Sequence, residues 1–229
     1  YAESIKAGFI FLSNGEEIYF WDYKHRPEQK VATFFSQRDL EKIQTLRLEQ
    51  KSLSVIPIPE RYFKGGEWRN PRPYQKEAIQ VMDKAIAGGK RKMLLVMATG
   101  TGKTDTIALY LKRLFDAGMA NRVLFLVDRI PLGVQTKEVF DEILKDHSST
   151  LLYGGRPKDE SEIVISTLQT LYSQLSSLTS GYFDVVVSDE AHRAIFGTYN
   201  AVLSHFDAVR IGLTATPSGY VDRNTYKIF

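Results

Sequence analysis

Two short stretches of this sequence carry residue types able to act on a phosphate. The first is Met97-Ala98-Thr99-Gly100-Thr101-Gly102-Lys103-Thr104. Closely spaced glycines let a backbone fold tightly enough for its N–H groups to converge on an anion. A lysine beside them reaches the outer phosphates of a nucleotide, and a following threonine offers its hydroxyl to Mg²⁺. Lys103 and Thr104 stand in those places, with Thr99, Gly100, Thr101 and Gly102 as the cradle. The general phosphate-loop pattern opens on glycine; here Met97 holds that position. The second stretch is Asp189-Glu190-Ala191-His192. One carboxylate there can hold a metal ion while its neighbour orients and deprotonates water. Asp189 is assigned to the metal and Glu190 to the water. His192 fits either of two roles, coupling to the next motif or capping a turn.

These residues act only if strands and helices bring them together. Short apolar runs at Met93–Met97, Val123–Val127, Ile163–Ser166, Val185–Ser188 and Val209–Leu213 read as strands. Between them, Lys103–Ala117, Leu132–Leu144, Leu168–Leu178 and Tyr199–Phe206 read as helices, and Tyr74–Ala87 reads as a helix stopped by Gly88-Gly89. Apolar strands alternating with helices imply an α/β fold, a parallel sheet covered on both faces. The glycine loop then follows one strand and the acidic pair ends another, at the carboxyl edge where open α/β sheets bind ligands.

Further motifs lie along the same pattern. Gly212-Leu213-Thr214-Ala215-Thr216-Pro217 follows the last strand, and Arg72-Pro73-Tyr74-Gln75 precedes the first. With the glycine loop and Asp189-Glu190-Ala191-His192, this set resembles the superfamily 2 DEAD/DEAH-type helicases. The resemblance implies a RecA-like motor domain using ATP and Mg²⁺, in which Thr214 and Thr216 couple hydrolysis to movement between two motor domains. It also implies that Gln75 reads adenine, since an amide can pair with N6 and N7; a plain surface residue is the other reading. The family's DNA-contacting segments have counterparts at Arg129, at Gly154 and Gly155, and at Thr167. Strand-end amides and hydroxyls there suit phosphates, which position DNA without reading its sequence. Thr167 fits a helix N-cap equally well.

Finer wording points to one branch. Arg72 to Ile79, Met97 to Thr104, Ser188 to Arg193 and Ile211 to Phe229, with Asn224-Thr225-Tyr226 shortly after the Thr-Pro, are similar to the motor (R) subunit of type I restriction enzymes. So is Phe9 to Asp22, like the end of that family's nuclease domain. The resemblance implies a DNA translocase that feeds a tethered nuclease and works on double-stranded DNA with modification (methyltransferase) and specificity subunits, in the cytoplasm of a bacterium or archaeon. It places the nuclease's metal ligands before Tyr1 and a second motor domain, with its arginine, after Phe229. Glu28-Gln29-Lys30 and Glu49-Gln50-Lys51 match the nuclease triplet only in letters, because neither lysine falls in a buried strand. A repair or remodelling helicase with an unrelated N-terminal module is the alternative.

The expected organisation follows. Residues 1–51 are a small α/β nuclease remnant, with a hairpin about Asn14-Gly15 and a helix opened by Ser36 and Asp39. Residues 52–72, punctuated by proline and glycine, read as a linker. Residues 73–217 are the motor domain, and 218–229 begin a link onward. Composition sets outer limits. The chain has no cysteine, which excludes disulfides and thiolate metal sites. Its longest apolar runs are far too short to cross a bilayer. A net charge of +3 permits nucleic-acid binding without arguing for it.

Overall fold

The computed structural model describes residues 4, 7–158, 160–191, 197–216, 219–220 and 223–224. Its centre is a six-stranded sheet. The strands are β6 (Lys92–Val96), β7 (Val123–Val127), β8 (Ser149–Leu152), β9 (Ile163–Thr167), β10 (Val185–Ser188) and β11 (Val209–Thr214). They lie in the order β6-β11-β10-β7-β9-β8, and every neighbouring pair is parallel.

Strand side chains alternate between the two faces and so feed two cores. Val123, Phe125, Val127, Ile163, Ile165, Val185, Val187, Ile211 and Leu213 pack toward α2 (Pro73–Ala87), α3 (Lys103–Asp116) and α4 (Ile130–Ile143). Leu124, Leu126, Val164 and Val186 face α5 (Leu168–Tyr172) and α6 (Gly197–His205) instead. This is the parallel sheet covered on both faces that the alternation of elements implied, in the RecA-like form that the resemblance implied.

Two differences from expectation have local causes. β8 gave no apolar signal because it is an edge strand beginning Ser149-Thr150, half-buried until Leu152. The helix expected over Leu168–Leu178 breaks after Tyr172 into a separate 3₁₀ turn at Leu175–Ser177.

The N-terminal unit has its own core. Strands β1 (Ile10–Ser13), β2 (Ile18–Trp21) and β3 (Gln29–Val31) form an antiparallel sheet backed by α1 (Gln37–Glu49). Asn14 Oδ1 accepts from the amides of Glu16 and Glu17 to close the hairpin. Ser36 and Asp39 exchange hydrogen bonds in the expected capping box. Phe20 and Phe35 stack at 4.3 Å in the middle. Lys30 is exposed on β3 and pairs with Glu17.

Residues 52–72, expected to be a linker, carry elements of their own. Leu53–Val55 makes a 3₁₀ turn, and β4 (Tyr62–Lys64) pairs antiparallel with β5 (Glu67–Arg69). Gly65 and Gly66, both at positive φ, make the turn between them. The buried Arg113 of α3 holds the segment down, donating to the carbonyls of Leu53 at 3.0 Å and Ile56, and pairing with Asp83 at 2.6 Å. Here the prolines and glycines shape turns on a packed surface.

Candidate active site

The loop after β6 runs along the carboxyl edge of the sheet. Met97 N donates to Thr214 O at 3.0 Å, which pins the loop's start to the end of β11. Gly100 and Gly102 adopt φ of 75° and 84°, in the left-handed region that only glycine enters without strain. Gly102 also caps α3. A Cβ there would fall 2.8 Å from Gln75 Nε2, so the position needs a hydrogen for space as well as for φ. The first N–H groups of α3 have no carbonyl a turn earlier in the helix to bond and lie at its positive end. Lys103 Nζ reaches back across the loop to the carbonyls of Met97, at 3.2 Å, and Ala98, at 3.4 Å. Thr101 Oγ1 donates to Ala98 O at 2.6 Å, and Thr99 is exposed at the crest.

The acidic pair lies two strands away. Asp189 N donates to Leu126 O at 2.9 Å, continuing the β10–β7 ladder. Glu190 has a φ of 52°, rare for a side-chain-bearing residue, and its amide donates to Asp189 Oδ1 at 3.0 Å. Strain of this kind collects at sites that must aim a side chain. Asp189 lines one cleft of about 730 Å³ together with Gly100, Thr101, Gly102, Lys103 and Thr104. That volume suits a small ligand. The donors fit a nucleotide phosphate chain with Mg²⁺: converging amides and a lysine for the anion, a hydroxyl and a carboxylate for the cation. Among the described residues no group of three or more His, Cys, Asp or Glu could hold a metal alone. Mg²⁺ ordinarily takes one or two protein oxygens and completes its shell with water and phosphate.

Gln75 is 2% exposed, which removes the surface-residue reading. Its Oε1 accepts from Arg72 N at 2.8 Å, and its Nε2 donates to Gly102 O at 3.2 Å and Thr106 Oγ1 at 3.1 Å. Thr214 is buried, and its Oγ1 accepts from Thr216 N at 3.1 Å, so the Thr-Ala-Thr turn is folded on itself beside the loop. His192 and Pro217 lie outside the described residues, as do Tyr1, Arg193, Thr225 and Tyr226.

The positions expected to touch DNA end strands at the same edge. Arg129 is the N-cap residue of α4 and pairs weakly with Asp128 at 3.3 Å. Gly154 and Gly155 are exposed, with nothing within 4 Å of an added Cβ. Thr167 is buried, and its Oγ1 accepts from Thr170 N at 3.3 Å, the N-cap arrangement.

Two groups of residues near the site escaped the sequence reading. Tyr62 donates to Asp105 Oδ2 at 3.0 Å and Lys64 pairs with the same carboxylate, fastening the β4–β5 hairpin to α3 as a wall of the cleft. Burial, then the Asp105 charge, pushes the Tyr62 hydroxyl up to about 12. The signal was present as Gly65-Gly66 between alternating aromatic and charged residues, a hairpin pattern. Behind the acidic pair, the hydroxyls of Tyr199 and Ser188 share a hydrogen bond. Burial pushes Tyr199 up to about 12, so it remains a protonated partner. No spacing in the sequence announces that pair.

A parallel sheet with a glycine loop, an acidic pair and a Thr-Ala-Thr turn at one edge is the RecA-like core of a superfamily 2 helicase-like protein. The family model described as "Type III restriction enzyme, res subunit" matches residues 69–219, more than half of the chain, and the chain belongs to that restriction-enzyme family. It is 34% identical to the type I restriction enzyme EcoKI endonuclease subunit of Escherichia coli (strain K12), over 94% of this chain and 22% of that protein. A fragment structure of an HsdR subunit of a type I restriction enzyme from Vibrio vulnificus YJ016 superposes with a TM-score of 0.57 at 26% identity, covering 100% of this chain and 41% of that one. The Sulfolobus solfataricus SWI2/SNF2 ATPase core, solved with dsDNA, shares the fold at 18% identity and a TM-score of 0.59, over 70% of this chain and 35% of that one. The chain thus spans about a fifth of the curated relative's length.

Proposed function

We propose that this chain is the ATP-binding half of a DNA translocase motor in a type I restriction enzyme R subunit. The observation that carries the reading is one cleft lined by both Lys103-Thr104 and Asp189. Lys103 binds the β- and γ-phosphates, Thr104 and Asp189 hold Mg²⁺, and Glu190 takes the proton of the attacking water. When bound, the metal neutralises charge on the phosphates. Thr214, joined to the loop through Met97, and Thr216 pass the state of the cleft onward, with His192 as a further coupling residue. Arg129, Gly154, Gly155 and Thr167 contact DNA phosphates along the same edge, Thr167 through its helix end. The working assembly includes double-stranded DNA and the modification and specificity subunits, in the cytoplasm of a bacterium or archaeon. Among the described residues no helix is long and apolar enough to cross a membrane.

The test is Glu190→Gln in the full-length protein. The amide keeps the shape of the side chain and loses its basicity. ATP affinity should hold while DNA-stimulated phosphate release drops by ~10²–10⁴-fold. Lys103→Ala should instead weaken ATP binding about tenfold or more, from loss of a charge-assisted contact. Near-normal turnover in Glu190→Gln, or unchanged affinity in a folded Lys103→Ala, would sink the assignment.

A further inference from the structure

Resting on the assignment of Glu190 to the attacking water, we propose that Tyr199 and Ser188 form a positioning pair. The pair fixes the peptide between Asp189 and Glu190 and so aims the Glu190 carboxylate. Side chains of β10 alternate between the two faces of the sheet. Val185 and Val187 enter the core beneath α2, α3 and α4, while Val186 enters the core beneath α5 and α6. Ser188 falls on the Val186 side and is fully buried. A hydroxyl placed there among apolar groups needs a partner. Tyr199 supplies it from α6, its ring packed in the same core as Val202, Leu203 and Phe206. Two apolar side chains would fill that space with no hydroxyl to satisfy, so packing alone does not account for the pair.

What the pair holds does account for it. Each hydroxyl has one hydrogen to give. Ser188 Oγ directs its hydrogen at Asp189 O, at 3.4 Å, and its oxygen then takes the hydrogen of Tyr199. The other end of the same peptide is held too, because Glu190 N donates to Asp189 Oδ1 at 3.0 Å. Asp189 N is itself tied to Leu126 O at 2.9 Å. The peptide plane is thus fixed at its oxygen and at its nitrogen, just before the Glu190 φ of 52°. A left-handed φ at a glutamate persists only where the surroundings impose it. Rotation of that plane would swing the Glu190 side chain, which lines one opening with Tyr199 and Asp128 beside Asp189. Tyr199 works through Ser188 and the backbone, without touching nucleotide or water.

DNA-stimulated phosphate release and ATP affinity, both measured on the full-length protein, decide the matter. Tyr199→Phe keeps the ring in its core and removes only the hydroxyl. Its kcat should fall about tenfold or more, as a small misplacement of a reacting group does, while ATP affinity holds. Ser188→Ala should do the same, and the two together no more than either alone, since they break one relay. Added to Glu190→Gln, Tyr199→Phe should change nothing further, because no basic carboxylate is left to aim. A merely structural role would lower stability and leave kcat in place. Normal kcat in either single variant, losses that multiply in the double variant, or ATP affinity falling in step with kcat would overturn the proposal. Near-normal turnover in Glu190→Gln would instead remove the water assignment on which it rests.

Discussion

At the scale of single residues, Gly102 meets two demands at once. Its φ of 84° excludes side chains by backbone strain, and Gln75 Nε2 occupies the space a Cβ would need, 2.8 Å away. Gly100 meets only the first: its φ is 75°, with nothing within 4 Å of an added Cβ. Both alanine variants should therefore lose about 1–2 kcal/mol from the left-handed backbone alone. Gly102→Ala should lose more, because it also pushes the Gln75 amide off Gly102 O and Thr106. Chemical denaturation of the pair checks this, and equal losses would argue against the contact. The sequence made the loop readable because paired glycines beside Lys-Thr state a backbone requirement directly. It left Gln75 ambiguous because an amide side chain can turn to solvent, base or loop, and its loop partners lie 27 and 31 positions away. The positive φ of Glu190 was equally hidden, since nothing in a glutamate announces it.

At the scale of elements, the cleft stays open only while α4 keeps its place on the sheet, because Leu132, Gln135 and Thr136 of that helix line its far side. The helix approaches the sheet at Gly133. A Cβ there would lie 2.7 Å from Leu151 Cδ1, 3.4 Å from Val127 Cγ2 and 3.5 Å from Ile165 Cγ2. Gly133→Ala sets two effects against each other. A mid-helix alanine gains about 1 kcal/mol in propensity over glycine, while Leu151, at the half-covered edge, must shift. Those terms should nearly cancel. Gly133→Val adds branches against Val127 and Ile165, which cannot move, and should cost about 1–3 kcal/mol. Urea unfolding distinguishes the two; a neutral valine would mean that α4 has slack. Why the sequence showed some elements and not others follows from the same packing. β7, β9 and β10 are buried along their length and read as unbroken apolar runs. β3 and β8 are short and partly exposed, so they left no such run.

At the scale of the molecule, the N-terminal unit and the nucleotide cleft lie at opposite edges of the sheet. The cleft takes the carboxyl ends of the strands. The N-terminal unit docks where β10 and β11 begin. There Arg26 grips Asp207, with Nη1 to Oδ1 at 3.0 Å, and Arg91 joins the same carboxylate at 2.9 Å. Lys42 pairs with Asp184 at 2.7 Å and donates to Gly181 O at 2.8 Å. Ser180 and Thr33 exchange further hydrogen bonds. Composition set residues 1–51 apart from the central sheet, but this seam was invisible: Arg26 and Asp207 are 181 positions apart, and a lone charge names no partner. Asp207 is nearly buried, its side chain only 6% exposed, and it serves two guanidinium groups. Asp207→Ala should cost about 1–3 kcal/mol; a wholly buried pair would lose more, but Arg26 and Arg91 both keep some water. The loss should appear first as loosened docking, since each unit retains its own core. Limited proteolysis should then cut between residues 49 and 62 faster than in wild type. ATP affinity should not change, because Asp207 is separated from Lys103 and Asp189 by the length of the strands. Faster cleavage with unaltered affinity would support a seam that joins two separately folded units. An affinity loss with undiminished protease resistance would instead place Asp207 in the machinery of the cleft.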